Sequence, residues 1–202
     1  MKRPRALLVD LDNTLVDRDR ALASWLEALS PALPDDVLEA LVVCDGGGYG
    51  DKRAFFAQLA ARVGGSAREL RRRFLREFAR HTRLKPDADA LLRAFAGPVV
   101  VVTNGPAALQ RGKLAAAGLA GRVAGVVVSG ELGVRKPDAA IFQRALALAD
   151  CAATDALMVG DHPAFDVAGA RAAGIDGVFV RTRWFAAPAA CRAVAQLTEL
   201  AS

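Results

Sequence analysis

The 202-residue sequence predicts an α/β fold: an open parallel sheet flanked by helices, interrupted by a small all-helical insertion. Three observations carry that expectation. From residue 98 onward, short apolar runs alternate with helical segments that open just after a loop, the pattern of strand–helix–strand units. These runs are apolar throughout rather than alternating, as strands buried on both faces tend to be. Between residues 17 and 88, by contrast, no valine-rich run occurs, and apolar side chains recur at helical spacing.

The first strand is Ala6-Leu7-Leu8-Val9, and it runs straight into Asp10-Leu11-Asp12-Asn13-Thr14. Two carboxylates one residue apart at the end of a buried strand repel each other unless a cation neutralises them. Their spacing suits a magnesium ion that keeps several waters and fills the rest of its shell with substrate phosphate. A capped turn with solvated acids is the alternative reading.

The insertion follows. Leu22, Trp25, Leu26 and Leu29 mark one helix, and Leu70, Phe74 and Phe78 another. Breaks are expected at Ser30-Pro31, across Asp45 to Gly50, and at Gly64-Gly65-Ser66. The organisation expected is therefore a core of residues 1–16 and 89–202 with a helical cap at 17–88. Asp17 and Lys85-Pro86 bound that insertion with short connections.

The second strand spans Pro98 to Thr103 and turns through Asn104-Gly105-Pro106 into a helix over 106–117, closed by Gly118. Residues 124–128 form the next strand, and Lys136-Pro137 opens a helix reaching Leu148. Residues 156–160 are a further strand, after which Asp161-His162-Pro163 opens a helix ending near Gly174. Residues 177–180 are the last strand, and a terminal helix is expected near 188–200. Pro106, Pro137 and Pro163 each fit a first helical position. In an open parallel sheet, the loops before those helices gather at the carboxyl edge of the strands, where ligands bind. Asp10, Thr103, Lys136 and Asp161 all fall there.

Composition narrows the class. With 53% hydrophobic and 24% charged residues, the chain is globular with ample core material. No apolar run is long enough for a membrane helix, and the N-terminus lacks signal-peptide character, so a cytoplasmic protein without membrane partners is expected. Cys44, Cys151 and Cys191 have no disulfide or zinc spacing. The net charge of +5 favours anionic partners, of which a small phosphorylated metabolite is one.

Asp10-Leu11-Asp12-Asn13-Thr14-Leu15, Thr103-Asn104-Gly105, Arg135-Lys136-Pro137-Asp138 and Gly160-Asp161-His162-Pro163-Ala164-Phe165-Asp166 resemble, in order, the four motifs of the haloacid dehalogenase superfamily. The resemblance covers the whole core and is to the subgroup whose helical cap lies between the first and second motifs. It implies a Rossmann-like core, a magnesium cofactor and a phosphatase acting on a small phosphomonoester such as a sugar phosphate, phosphoglycolate or a nucleoside monophosphate. Asp10 would be the nucleophile, carrying an aspartyl-phosphate that water later hydrolyses. Asp12 would be the general acid and base, its backbone carbonyl rather than its side chain joining the metal shell.

Asp161 would complete the metal site with Asp10 and Asp12. Asp166 would orient metal waters or Lys136, or is simply a first-turn acid favoured by the helix dipole. Thr103, with the backbone N–H groups of Asn104 and Gly105, offers a phosphate cradle at a helix start. Lys136 would offset the accumulated negative charge.

In the insertion, the glycine-rich loop from Asp45 to Asp51 either reaches the cleft, with Tyr49, Lys52 and Arg53 as substrate contacts, or merely joins two helices. Arg68, Arg72, Arg76 and Arg80 form a stripe, joined by Arg71 and Arg73. It reads as the solvated face opposite Leu70, Phe74 and Phe78, or as an attractor of a nucleotide, polyphosphate or nucleic acid. His162 and His81 are assigned no chemistry. Dehalogenation is disfavoured by Asp12, and phosphonate hydrolysis would require Lys52 as a Schiff base. A hexose phosphate mutase would retain every core residue named. A non-enzymatic anion- or nucleic-acid-binding module using the arginine stripe is the remaining alternative, with nucleic acid an unlikely partner given the intact acids. Sequence alone leaves the oligomeric state open.

Overall fold

In the computed structural model, residues 3–30 and 32–200 are described. The break expected at Ser30-Pro31 falls partly outside them, at Pro31. The chain begins with β1 (Ala6–Val9) and enters the helical insertion. This comprises α1 (Arg18–Leu29), α2 (Asp35–Asp45), α3 (Lys52–Val63) and α4 (Ala67–Glu77). The sheet then resumes through α5 (Pro86–Ala94), β2 (Val99–Thr103), α6 (Ala107–Ala116), β3 (Gly125–Val128), α7 (Ser129–Leu132) and α8 (Ala139–Ala149). It ends with β4 (Ala156–Gly160), a π-helical segment (Pro163–Ala168), α9 (Gly169–Ala172), β5 (Asp176–Val180) and β6 (Arg192–Val194).

The six strands form one parallel sheet in the order β3-β2-β1-β4-β5-β6. Alternate residues of each central strand enter different cores. Leu7, Val9, Val99, Val101, Leu157 and Val159 pack in one cluster with Ala88 and Leu91 of α5 and Leu114 of α6. Ala6, Leu8, Val100, Val102, Ala156 and Met158 pack in another, with Ile141, Phe142 and Ala145 of α8. Burial on both faces explains why these strands read as unbroken apolar runs. The insertion has its own cluster, in which Trp25 meets Phe74 edge-on at 5.2 Å and Leu22, Phe55 and Phe78 are fully buried. The two chain segments that lead into and out of it touch through a bridge between Val16 and Leu84 and the Lys85 N–H to Leu15 carbonyl bond of 2.9 Å.

Three expectations are corrected. The terminal helix near 188–200 is absent: Arg192–Val194 instead pairs with β5, and Leu197–Leu200 is a single 3-10 turn. The open edge of β5 offers backbone partners that outweigh the helix propensity of an alanine-rich tail. Only Pro163 occupies a first helical position among the three prolines named. Pro106 has extended ψ and caps α6 from outside, and Pro137 precedes Asp138, whose carboxylate accepts from the Ala140 N–H at 2.8 Å and starts α8. Phe78, expected on one helix with Leu70 and Phe74, lies beyond it: α4 stops at Glu77, and a 3-10 turn, Phe78–His81, continues the chain.

Candidate active site at the carboxyl edge of the sheet

Strands β2, β1 and β4 are neighbours, so the residues that follow them converge. The Asp10 N–H donates to the Val159 carbonyl at 2.9 Å, seating Asp10 between the ends of β1 and β4. Asp161 follows β4, and Asp166 lies one turn on in the π-helical segment. The Asp166 carboxylate accepts from the His162 N–H at 2.9 Å. It sits so close to Gly160 that a Cβ at that position would collide with it. The strand end therefore requires glycine to admit the acid.

Lys136 ties these groups together. Its Nζ donates to Asp10 Oδ1 and Asp166 Oδ1, each at 2.6 Å, and to the Val102 carbonyl at 2.7 Å, using all three ammonium protons. Its backbone is held by the Asn104 side chain, which accepts from the Lys136 N–H at 2.9 Å and donates to its carbonyl at 3.1 Å. Burial acts against the Lys136 charge, but Asp10 and Asp166 outweigh it and hold the ammonium above its ordinary value.

Three carboxylates against one ammonium leave a deficit. Asp10, Asp161 and Asp166 each offer an oxygen, all within 4.8 Å of one another. Burial first, then the neighbouring acids, push Asp10 up to about 7 against the pull of Lys136, and push Asp161 up to about 9. Asp10 Oδ2 and Asp161 Oδ2 are buried without a hydrogen-bond partner. Hard oxygen donors, excess negative charge and two orphaned acceptors fit a divalent cation.

Asp12 stands apart from this cluster. Both its oxygens accept from Lys113 Nζ, at 2.7 and 2.8 Å, and one also accepts from Gln110 Nε2 at 3.1 Å. Among the described residues, the carboxylates grouped closely enough to hold one ion are Asp10, Asp161 and Asp166, without Asp12. Burial would raise the Asp12 carboxyl, but Lys113 and then Arg18 outweigh it and keep it below the ordinary value. Gln110 also donates to the Thr103 hydroxyl at 2.5 Å, linking Asp12 to the end of β2.

The phosphate cradle differs in one part from the expectation. Thr103, Asn104 and Gly105 line a cavity of about 190 Å³ together with Asp10, Asp12 and Lys136. The Gly105 N–H, however, is donated to Ser129 Oγ at 2.9 Å. The hydroxyl of α7 already satisfies the donor that a phosphate would use.

The far wall of the cavity comes from the insertion. Arg18, at the start of α1, is 4% exposed and grips Asp45 with both terminal nitrogens, while Lys52 Nζ reaches the same carboxylate at 2.7 Å. Burial raises Asp45, but Arg18 and Lys52 prevail and hold it below the ordinary carboxylate value. The glycine run lets the loop close on this cluster: a Cβ on Gly48 would lie 2.7 Å from Arg18 Nε. Tyr49 reaches Asp161 Oδ1 at 3.5 Å, with its ring against His162, Phe165 and Phe185 at 4.6, 5.9 and 5.4 Å. Burial and then the surrounding acids raise the phenol, so it remains a donor.

Tyr49 and Lys52 thus line the cavity, whereas Arg53 is exposed outside it. Arg68, Arg72, Arg76 and Arg80 are exposed, opposite buried Leu70, Phe74 and Phe78, and Arg73 and Arg76 pair with Glu77. Arg71 leaves the stripe to line the cavity beside Leu75. His162 caps its own segment, Nδ1 accepting from the Ala164 and Phe165 N–H groups at 3.2 and 3.0 Å. His81 Nδ1 meets Ser24 Oγ at 2.9 Å.

Sequence reasoning missed Arg18, Gln110 and Lys113; it named Asp45 only as the start of the glycine-rich loop and Arg71 only as an addition to the arginine stripe. For Gln110 and Lys113 a signal existed: polar residues three apart on the helix that follows Asn104-Gly105-Pro106 share one face. Among the described residues, no helix is long and apolar enough to cross a membrane.

A parallel sheet with an acid cluster at its carboxyl edge and a helical insertion after the first strand defines the class. The chain belongs to the haloacid dehalogenase-like hydrolase family, whose sequence profile matches residues 4–174. It is 40% identical over 163 residues to a phosphoserine phosphatase of Thermus thermophilus, a match covering 78% of this chain and 64% of that protein's length. It is 35% identical over 190 residues to a phosphoglycolate phosphatase of Rhodospirillum rubrum, covering 85% of this chain and 77% of the relative. Among solved structures, the HAD-hydrolase YfnB of Bacillus subtilis, bound to magnesium, superposes with a TM-score of 0.77 at 23% identity. That superposition covers 98% of this chain and 97% of the other and establishes a shared fold.

Proposed function

We propose that this protein is a magnesium-dependent phosphatase that hydrolyses a small phosphomonoester through an aspartyl-phosphate on Asp10. The observation that carries the reading is the buried trio Asp10, Asp161 and Asp166 beside Lys136, of which Asp10 lines the cavity together with Lys136 and Thr103. The phosphatase names of two relatives support the same chemistry. The helical insertion serves as a cap over the cleft.

Asp10, Asp161 and the backbone carbonyl of Asp12 would hold the metal, with Asp166 positioning Lys136. Magnesium, when bound, offsets the phosphate charge and that of Asp10. An Asp10 oxygen attacks phosphorus, the P–O bond to the leaving alkoxide breaks, and Asp12 gives that alkoxide a proton. Water then attacks the phosphorus of the aspartyl-phosphate, Asp12 takes its proton, and inorganic phosphate leaves with Asp10 regenerated. In the pair with Lys113, Asp12 is ionised, the form required for the second half. For the first half, a substrate that enters as its monoanion passes its proton to the Asp12 carboxylate, which hands it on to the departing alkoxide. Lys136 holds Asp10 in place and Thr103 steadies the phosphate.

The test is phosphate release from a panel of phosphomonoesters, with magnesium and with chelator, for the wild type and Asp10→Asn. Turnover that needs magnesium and vanishes in D10N is the expected result. Silence across the panel, or release that survives D10N, overturns it.

A further inference from the structure

The charges lining the cavity divide unevenly along its length. At the sheet edge, Lys136 is consumed by Asp10 and Asp166, and Lys113 by Asp12. On the insertion side, Arg18 and Lys52 share a single carboxylate, Asp45. Arg71, in the middle of α4, lines the same cavity and has no ion-pair or hydrogen-bond partner among the described residues. Three cations thus face one acid, leaving positive charge unmatched where the leaving group of a substrate must lie. Phe56, Phe74, Leu75 and Leu109 complete the lining there, and Arg71 itself is exposed, so its guanidinium is open to a ligand. A neutral or cationic leaving group would be a poor match for this wall.

Resting on the phosphatase reading above, we infer that the insertion wall is a second anion subsite, in which Arg71 and Lys52 bind a carboxylate or second phosphate on the substrate's leaving group. Arg18 is the buried end of that subsite. Its fork is committed to Asp45 and fixes the acid so that Lys52 is held at the cavity face. Arg71 supplies a free guanidinium, whose planar fork suits either anion. The cavity, about 190 Å³, is below the usual range for drug-sized ligands, which sets the ligand as a compact metabolite with its two anions a few bonds apart. The exposed arginines of α4 outside the cavity take no part.

The test uses matched probes differing only in the second anion: 2-phosphoglycolate against ethyl phosphate, and propane-1,3-diol bisphosphate against propyl phosphate. Steady-state kinetics are compared for the wild type, Arg71→Met, Lys52→Met and the control Arg68→Met, which is exposed and outside the cavity. The member of at least one pair that carries the second anionic group has the lower KM. R71M raises that KM about 10- to 100-fold, the size of a lost charge-assisted contact, and leaves the KM of the member without the second anion unchanged, while R68M changes neither. The pair that responds tells carboxylate from phosphate. Equal KM within both pairs, or equal losses for both members in R71M, overturns the subsite while the phosphatase reading stands. If nothing turns over, calorimetric binding of the same probes to the D10N protein still decides. A preference for the probe with the second anionic group that R71M removes supports the subsite, and indifference overturns it.

Discussion

On the sheet side of the cleft, three buried carboxylates cluster around one ammonium, Lys136, which bonds Asp10 and Asp166 but not Asp161; on the insertion side, one buried carboxylate, Asp45, is shared by Arg18 and Lys52. Both are networks of charge taken out of water, which is costly unless every member is paired. They are left unbalanced in opposite directions. The sheet side lacks positive charge, and its two orphaned oxygens, Asp10 Oδ2 and Asp161 Oδ2, call for a cation. The insertion side has positive charge to spare. The contrast teaches that the two walls ask for opposite partners: on the proposed reading, one serves chemistry on a phosphate and the other holds what the phosphate leaves behind.

The largest expected effect breaks the sheet side. Lys136→Met removes the one cation among three acids, and turnover should fall by about 10³-fold. The measurement is kcat at saturating substrate, and retained activity would show that the network does not need its ammonium. Lys113 tests where the boundary between the walls runs. Because Lys113 holds Asp12, Lys113→Met should lower kcat about 10²-fold, the lower end of a lost acid–base contribution, with little change in KM. A change confined to KM would move Lys113 to the recognition wall.

Arg18→Met breaks the insertion side. Removing one member of a buried pair costs about 3–5 kcal/mol of stability, readable by urea unfolding. The sign of its pH dependence follows from Asp45, whose carboxyl is held low in the folded protein. Stability from that pairing is present above the ordinary aspartate value and disappears as pH falls below about 4. The wild type and R18M should therefore converge in acid. A gap unchanged on acidification would place the loss in packing instead. The smallest effect is at Ser66, whose hydroxyl and Glu69 form a reciprocal cap on α4. Ser66→Ala should cost roughly 1 kcal/mol and leave the kinetics alone. A kinetic effect there would mean that the orientation of α4, and with it Arg71, is set by its cap.

Much of the sheet was legible because strands buried on both faces need continuous apolar residues, and because Asp10, Thr103 and Asp161 each sit at a strand end and Lys136 in the loop before a helix. The tail was not. Arg192, Ala193 and Val194 became a strand because β5 presented an edge, something no local propensity records. The same holds for the missed side chains. Arg18 meets Asp45 across 27 positions and Lys113 meets Asp12 across 101, so neither pair has a local spacing to read.

The sequence by itself determined the fold class and the residues at the carboxyl edge, since periodicity and the loops before helices are local properties of the chain. Tertiary structure alone decided that Asp12 turns away from the acid cluster to Lys113, that Gly105 spends its N–H on Ser129, and that Arg71 leaves its stripe for the cavity. The physical reason is that a charge buried among distant neighbours takes its partner from whatever the packing brings within about 3 Å, and that partner is chosen only when the helices dock.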